Sequence, residues 1–286
     1  MAADCLGVDG PLALHERQTG EMKIRFQVND GKPAAKAAAR RLAVVARKTG
    51  LAVVTRGKAD AIVALGGDGT ILHAVRRFPG VPVLGFNLGG LGYLSSVGER
   101  DFEPALAMLA KGAFVISERS MLEVRLPRGR TAAALNDVVI VREMTGHAAE
   151  IDLKADGRLA AHYLADGLVI ATPTGSTAYS LSAGGPVLMP DSRCFVVTPM
   201  NPHALAVRPL VVNDSVVLTA TSCRKVNGAA EKTGVYADGL SLCLLGGGES
   251  VEIRRSGKTA KLVGLEGYDP YEVLGRKLGW PGGRTR

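Results

Sequence analysis

One carboxylate of this chain stands inside a turn suited to phosphate. Ala61-Ile62-Val63-Ala64-Leu65 is a continuous apolar run, Gly66-Gly67-Asp68-Gly69 follows, and Thr70 to Phe78 has the pattern of a helix. The run reads as a buried parallel strand. The glycines allow a turn that other residues resist. A strand, a glycine-rich turn and a helix N-terminus gather backbone N–H groups and the positive end of a helix dipole at one place. Gly66, Gly67, Gly69 and Thr70 are therefore the candidate phosphate loop. Asp68 in such a cradle fits a group that holds a metal or removes a proton. It fits equally a helix N-cap, a role Asp favours, and the local residues leave both open.

Two further stretches carry polar groups where apolar ones would be expected. Asn136-Asp137 interrupts the apolar run from Ala132 to Val141. Burying an amide and a carboxylate is costly without partners. Together they could read the edge of a base or a sugar, or they could fix a β-bulge or turn. From Asp166 to Pro186 a strand ends at Thr172-Pro173. Thr174, Ser176, Thr177, Tyr179, Ser180 and Ser182 then crowd hydroxyls around Gly175. Such groups suit phosphate and ribose, though Ser and Thr also serve as caps and turn residues.

Other chemistries fit poorly. No Gly-x-Ser-x-Gly elbow surrounds Ser176 or Ser180, which argues against a serine hydrolase. Ser256-Gly257-Lys258-Thr259 resembles the end of a Walker A loop, but Glu252 stands where its first glycine belongs. No Gly-x-Gly-x-x-Gly opens the first helix, so the usual dinucleotide dehydrogenase fingerprint is missing. The five histidines show no metal-ligand spacing, and no protein-ligated metal is expected.

These groups need a scaffold. Strands are expected at 24–29, 51–55, 61–65 and 81–87, with helices at 34–48, 70–78 and 103–111. Their alternation means a parallel sheet with crossover helices. A second glycine-rich loop, Leu88-Gly89-Gly90-Leu91-Gly92-Tyr93-Leu94, leaves the strand at 81–87. In open α/β sheets, ligands bind beyond the carboxyl ends of the strands. Near residue 114 the pattern changes to period two. Asp156-Gly157 is a hairpin signal, and Asn213-Asp214 and Ser256-Gly257 read as turns between later strands. Asp269 and Pro270 open a short helix to Lys277. The organisation expected is a flexible extension over 1–21, an α/β nucleotide-binding domain over 22–115 with a Rossmann-like parallel sheet, and a β-rich antiparallel domain over 116–265. The segment 266–286 is expected to pack back on the first domain.

Composition narrows the partners. The 286 residues carry a formal charge of +8, and aromatic residues make up 5%. The basic residues are dispersed in pairs such as Arg40-Arg41 and Arg76-Arg77. Such a chain suits small polyanions such as nucleotides and offers neither a basic stripe nor stacking aromatics for nucleic acid. Cys5, Cys194, Cys223 and Cys243 form no Cys-x-x-Cys pair, as expected of reduced thiols in a cytoplasmic protein. No apolar run approaches the ~18–20 residues of a membrane span. The first 21 residues lack a secretory pattern.

Taken in order, these motifs resemble the NAD kinases. They are Gly66-Gly67-Asp68-Gly69-Thr70, Gly85-Phe86-Asn87 with Gly89-Gly90-Leu91-Gly92-Tyr93-Leu94, Asn136-Asp137, and Thr172 through Pro186. The resemblance spans about residues 24–280, and the Thr172–Pro186 stretch is its most specific part. It implies transfer of the ATP γ-phosphate to the 2′-hydroxyl of the adenosine ribose of NAD, giving NADP. Also implied are Mg²⁺ or another divalent cation accompanying ATP, and a homo-oligomer, dimer or tetramer. By resemblance, Asp68 is the proton acceptor, and Gly69 and His73 line the same loop and helix. Asn136 and Asp137 hold substrate sugar or base, and His147 contacts substrate. Asp166, Thr174, Thr177, Ala178, Tyr179, Ser180, Leu181 and Ser182 form the remaining NAD wall. Relatives more often carry Glu at the place of Asp137. Leu164 stands where some relatives carry a basic side chain, and Leu240 replaces a common Gln. The alternatives are a diacylglycerol- or sphingosine-kinase-like lipid kinase sharing the first loop, and a dinucleotide-binding regulator without catalysis.

Overall fold

Apolar and polar residues alternate over β1 (Lys23–Val28), and Pro33 opens the alanine-rich α1 (Pro33–Lys48). The computed structural model describes residues 21–29, 31, 33–89, 92–95, 97–143, 147–223, 232–265 and 269–279. The expected extension lies outside them apart from Glu21, as do Gly90 and Leu91 of the second glycine-rich loop and residues 266–268 and 280–286. The chain divides into two compact units. One runs to Glu118 and resumes at Lys261; the other is Arg119–Ala260.

The first unit continues with β2 (Ala52–Val53), β3 (Ala61–Gly66), α2 (Asp68–Arg77), β4 (Val83–Asn87) and α3 (Phe102–Lys111). The second strand is far shorter than the 51–55 expected. All six residues of β3 are buried, which is why they read as one apolar run. The strands are parallel, in the order β2-β1-β3-β4. The direction of winding reverses between β1 and β3, so the carboxyl end of β3 lies at the crevice where such sheets take ligands. Ile24, Leu65, Phe86, Phe102, Leu106 and Val263 belong to the core of this unit. The Phe86 and Phe102 rings stack with centroids 4.4 Å apart. Gly112 adopts a left-handed conformation after α3 (φ 74°), as a helix stop requires.

β5 (Phe114–Arg125) carries the chain into the second unit. There follow β6 (Thr131–Ala134), β7 (Asp137–Arg142), β8 (Ala149–Ala155), β9 (Arg158–Ala165), β10 (Gly167–Ala171) and the single-turn α4 (Tyr179–Ser182). Then come β11 (Cys194–Met200), β12 (Leu210–Asn213), β13 (Leu218–Ser222), β14 (Thr233–Ala237) and β15 (Leu240–Leu245). One antiparallel sheet has the order β12-β11-β10-β7-β14-β15. Leu122, Val138, Ile140, Ile151, Leu168, Phe195 and Leu218 share the main core. Val139, Val169 and Val196, from the other face of that sheet, pack with Ala183 and Leu188. Both faces of β10 are therefore covered, and Leu168-Val169-Ile170-Ala171 is uniformly apolar.

β16 (Ser250–Leu265) corrects one expectation. Ser256-Gly257 does not divide two strands; the strand runs straight through it. Gly257 has no positive φ, and the Ser256 hydroxyl accepts the Lys258 N–H at 3.1 Å. Within the second unit β16 pairs antiparallel with β13, and β13 with β8. In the first unit its Leu262 sits opposite Val83 of β4 in parallel register. The last described element is α5 (Pro270–Leu278), whose cap Asp269 accepts the Tyr271 N–H at 2.8 Å.

Candidate active site

The candidate residues fall into clusters within each unit. In the first, β3 ends at Gly66 and α2 begins at Asp68, two residues earlier than the sequence suggests. Gly67 is the N-cap, and no side chain caps the helix. Asp68 is thus not the cap. Its carboxylate reaches the loop after β4, accepting the N–H of Tyr93 at 2.6 Å and of Leu94 at 3.0 Å. The two glycine-rich loops meet at this one side chain. A Cβ on Gly92 would lie 2.5 Å from Asp68 Oδ1 and 2.7 Å from Ser95 Oγ. A Cβ on Gly66 would collide with the Thr70 hydroxyl. The Tyr93 hydroxyl is pushed up from its ordinary range by burial and then by the Asp68 charge. Lys277 of α5 places its ammonium 5.3 Å from the centre of the Tyr93 ring. Farther along α2, His73 Nδ1 is buried without a hydrogen-bond partner. With no side-chain cap, the first N–H groups of α2 suit an anion.

In the second unit, Leu135-Asn136 breaks the apolar run between β6 and β7. The turn joining β14 and β15 holds this break. Asp238 (φ 47°) and Gly239 (φ 78°) form its tip. The Asp238 carboxylate accepts the N–H groups of Leu135 and Asn136 at 2.8 Å each and of Asp137 at 3.3 Å. Asp137 is 5% exposed. Burial, and then the Asp238 charge, raise its carboxyl from 3.8 to about 7. From the other side the Thr172 hydroxyl donates to Leu135 O at 2.6 Å and accepts Gly175 N–H at 3.0 Å. Gly175 lies so close that a Cβ there would enter the Asn136 backbone. The Asn136 amide oxygen and the Thr174 hydroxyl remain buried with no hydrogen-bond partner. Buried polar atoms are nearly always satisfied, so this pair points to a ligand.

Much of the hydroxyl-rich stretch is committed to the fold. The Ser176 hydroxyl donates to Pro173 O at 2.7 Å and accepts Leu188 N–H at 2.9 Å. Ser180 is fully buried and shares a 2.8 Å hydrogen bond with the Thr198 hydroxyl. Thr177 donates to Thr174 O at 3.3 Å. Thr177, Ala178 and Leu181 are half-buried, and Tyr179 and Ser182 are exposed.

Asp166 stands apart from this cluster. Its carboxylate pairs with Arg142 Nε at 2.8 Å and accepts Asn201 Nδ2 at 2.8 Å. His147 is exposed, and its carbonyl accepts from Arg142 at 3.4 Å. Register places Asp137 opposite Ala171 and Val141 opposite Gly167. Asp166 and His147 are therefore at the other end of the β7–β10 pair from Asn136 and Thr174. Four residue steps at ~3.4 Å make that about 14 Å. Leu164 and Leu240 are both exposed.

Asp238 is the contributor that motif reading passes over. Ala237-Asp238-Gly239 carries an ordinary Asp-Gly hairpin signal. Nothing local says that the carboxylate serves three amides about a hundred residues away.

Comparison with known proteins bears on the family and the fold. Residues 13–114 match the ATP-NAD kinase N-terminal domain, and residues 135–265 match the ATP-NAD kinase C-terminal domain. An NAD kinase of Symbiobacterium thermophilum is 41% identical over 78% of this chain and 79% of its own. One of Syntrophotalea carbinolica is 40% identical over the same shares. Among solved structures, yeast NADH kinase complexed with NADH superimposes with a TM-score of 0.85 at 23% identity, covering 94% of this chain and 90% of its own. An NAD kinase from Archaeoglobus fulgidus in complex with ATP gives 0.73 at 22% identity, covering 91% and 99%. The two structures speak to the fold.

Proposed function

The chain belongs to the ATP-NAD kinase family, and from that premise we propose that it transfers the γ-phosphate of ATP to the 2′-hydroxyl of the adenosine ribose of NAD, giving NADP. The observation that carries the residue assignment is the bridge from Asp68 to the Tyr93 and Leu94 amides. It fixes a carboxylate beside an uncapped helix N-terminus, where a hydroxyl proton and a phosphoryl group would meet.

Phosphoryl transfer passes through a loose transition state, so the protein mainly positions the reactants and neutralises charge. Gly66, Gly67, Gly69 and Thr70 form the loop that holds the ATP phosphates, the Thr70 N–H itself being donated to Gly67 O at 2.9 Å. Asp68 accepts the ribose proton as the new oxygen–phosphorus bond forms. Asn136, Asp137 and Thr174 hold NAD, a reading supported by the orphaned Asn136 and Thr174 oxygens. His73, with its orphaned Nδ1, belongs to the same reading. Thr177, Ala178, Tyr179, Leu181 and Ser182 form the remaining wall, with Ser180 bracing it from beneath. The uncapped loop would take the ATP phosphates, and Mg²⁺ or another divalent cation would arrive on them. Bound there, it would share the phosphate charge.

The assembly we propose is a homo-oligomer. A second copy offering its own Asp166 and His147 is the arrangement that would unite them with the Asn136 cluster. We place the protein in the cytoplasm, where the free thiols of Cys194, Cys223 and Cys243 would stay reduced. Among the described residues no helix is long and apolar enough to cross a membrane.

The test is incubation with ATP, Mg²⁺ and NAD, followed by assay with an NADP-specific dehydrogenase. NADP should accumulate with time and enzyme. No NADP at ample enzyme overturns the reading, and NAD binding without turnover would mark a regulator instead.

A further inference from the structure

A thiol, an imidazole and a carboxylate converge on three adjacent strands, away from the Asn136 cluster. Asp152 lies on β8 directly opposite His162 on β9. On its other side Asp152 faces Thr221 of β13. Cys223 follows two residues after Thr221, so its side chain returns to the face that carries Asp152. The ladder extends to Cys223, whose N–H donates to Glu150 O at 2.9 Å. The candidate ligand atoms of Asp152, His162 and Cys223 all lie within 4.8 Å of one another. His162 Nδ1 is 2.7 Å from Asp152 Oδ1. Among the described residues this is the one grouping of three or more His, Cys, Asp or Glu side chains that close.

We propose that Asp152, His162 and Cys223 form a binding site for a thiophilic divalent cation, zinc by preference, which clamps β9, β8 and β13 together.

The donor set selects the metal. Thiolate and imidazole are zinc ligands, whereas magnesium and calcium take oxygen. Zinc bonds of ~2.3 Å to sulfur and ~2.0–2.2 Å to nitrogen and oxygen put tetrahedral ligands roughly 3.2–3.6 Å apart. The present spacing reaches that geometry by small side-chain movements. The His162–Asp152 pair must open slightly, and both side chains are solvent-accessible, at 55% and 36%. The backbone hydrogen bonds of the three strands hold the platform for them, so little ordering remains on binding. A water would complete four-coordination.

No part of the kinase reading is needed for this site, and its test is a binding measurement.

The full-length protein, stripped with chelator and kept reduced, is titrated with Co²⁺ under absorbance and with Zn²⁺ against a chromophoric chelator. One equivalent should bind, and Co²⁺ should give a thiolate charge-transfer band. Cys223→Ser should abolish the band, and His162→Ala should weaken Zn²⁺ at least ~10-fold, the loss that outer-shell changes alone produce. Circular dichroism confirms that each variant is folded, and Asp152→Asn gives a third variant should one fail. A sub-stoichiometric uptake, or a band and affinity unchanged in Cys223→Ser, overturns the proposal.

Discussion

The Asp238 carboxylate accepts the backbone N–H of Asn136 at 2.8 Å across 102 positions of sequence. Its other oxygen takes Leu135 at the same distance. Asp238→Asn keeps one acceptor and turns its amide NH₂ donor towards a backbone N–H. Losing a charged acceptor for buried amides costs about 1–3 kcal/mol. The break that carries Asn136 and Asp137 would then move. We expect a lower melting temperature and a KM for NAD raised roughly tenfold, the kinetic counterpart of ~1.4 kcal/mol. A KM for ATP within twofold of the parent would place the effect on the NAD side. Unchanged NAD kinetics would show that the strand break does not position substrate.

Asp137 makes stability depend on pH. Its folded carboxyl titrates at about 7 against an ordinary 3.8. Between these values the folded protein keeps a proton that the unfolded chain has released. Stability from this group is therefore greatest at the acid end of that window. It falls as pH rises towards 7, then levels off. At ~1.4 kcal/mol per unit the loss is at most about 4 kcal/mol. Asp137→Asn removes the group, so the variant should gain on the parent as pH rises from about 4 to 7. Denaturant unfolding across that range measures the difference. A constant difference between the two proteins would show that the Asp137 carboxyl is not raised.

How far the chain can be read before it is folded depends on the range of the interaction. β3, its glycine turn and α2 are legible because each signal is local: an apolar run, glycines, then helix formers. The Asp156-Gly157 hairpin and the Asp269-Pro270 helix start are legible for the same reason. Ser256-Gly257 misleads because a glycine in an extended strand looks like a glycine in a turn. Only the folded backbone, one strand from Ser250 to Leu265 without a positive φ at Gly257, distinguishes them. Asp68 stays balanced between cap and catalyst in sequence, since its partners Tyr93 and Leu94 belong to another loop. Asp238 is invisible for the same reason at longer range. The hydroxyls of 174–182 look equivalent, yet Ser176 and Ser180 are engaged by backbone and by Thr198, while Thr174 is left without a partner.

Asp68 has two jobs that one substitution can expose. Asp68→Asn removes the base and sets its amide NH₂ donor against the backbone N–H of Tyr93 or Leu94. A positioned general base contributes ~10²–10⁴ in rate, and turnover should fall by about that much. NAD affinity, measured directly by calorimetry, should change little. The altered loop should appear separately as a raised KM for ATP. Near-normal turnover would take the base role from Asp68.

Gly92 provides the sharpest test of the loop geometry. Alanine there would set a methyl 2.5 Å from Asp68 Oδ1 and 2.7 Å from Ser95 Oγ. Neither atom can stay where it is. Overpacking of this kind costs about 1–3 kcal/mol, and a misplacement of ~1 Å at reacting groups can cost ~10²-fold in rate. Gly92→Ala should therefore fold and yet lose about two orders of magnitude in kcat. Gly257→Ala is the control, since a Cβ there meets nothing within 4 Å and the backbone is extended. It should match the parent in melting temperature and turnover. Equal activity in both variants would mean that the Tyr93–Leu94 loop yields without moving Asp68, and that the carboxylate is not held by the packing of Gly92.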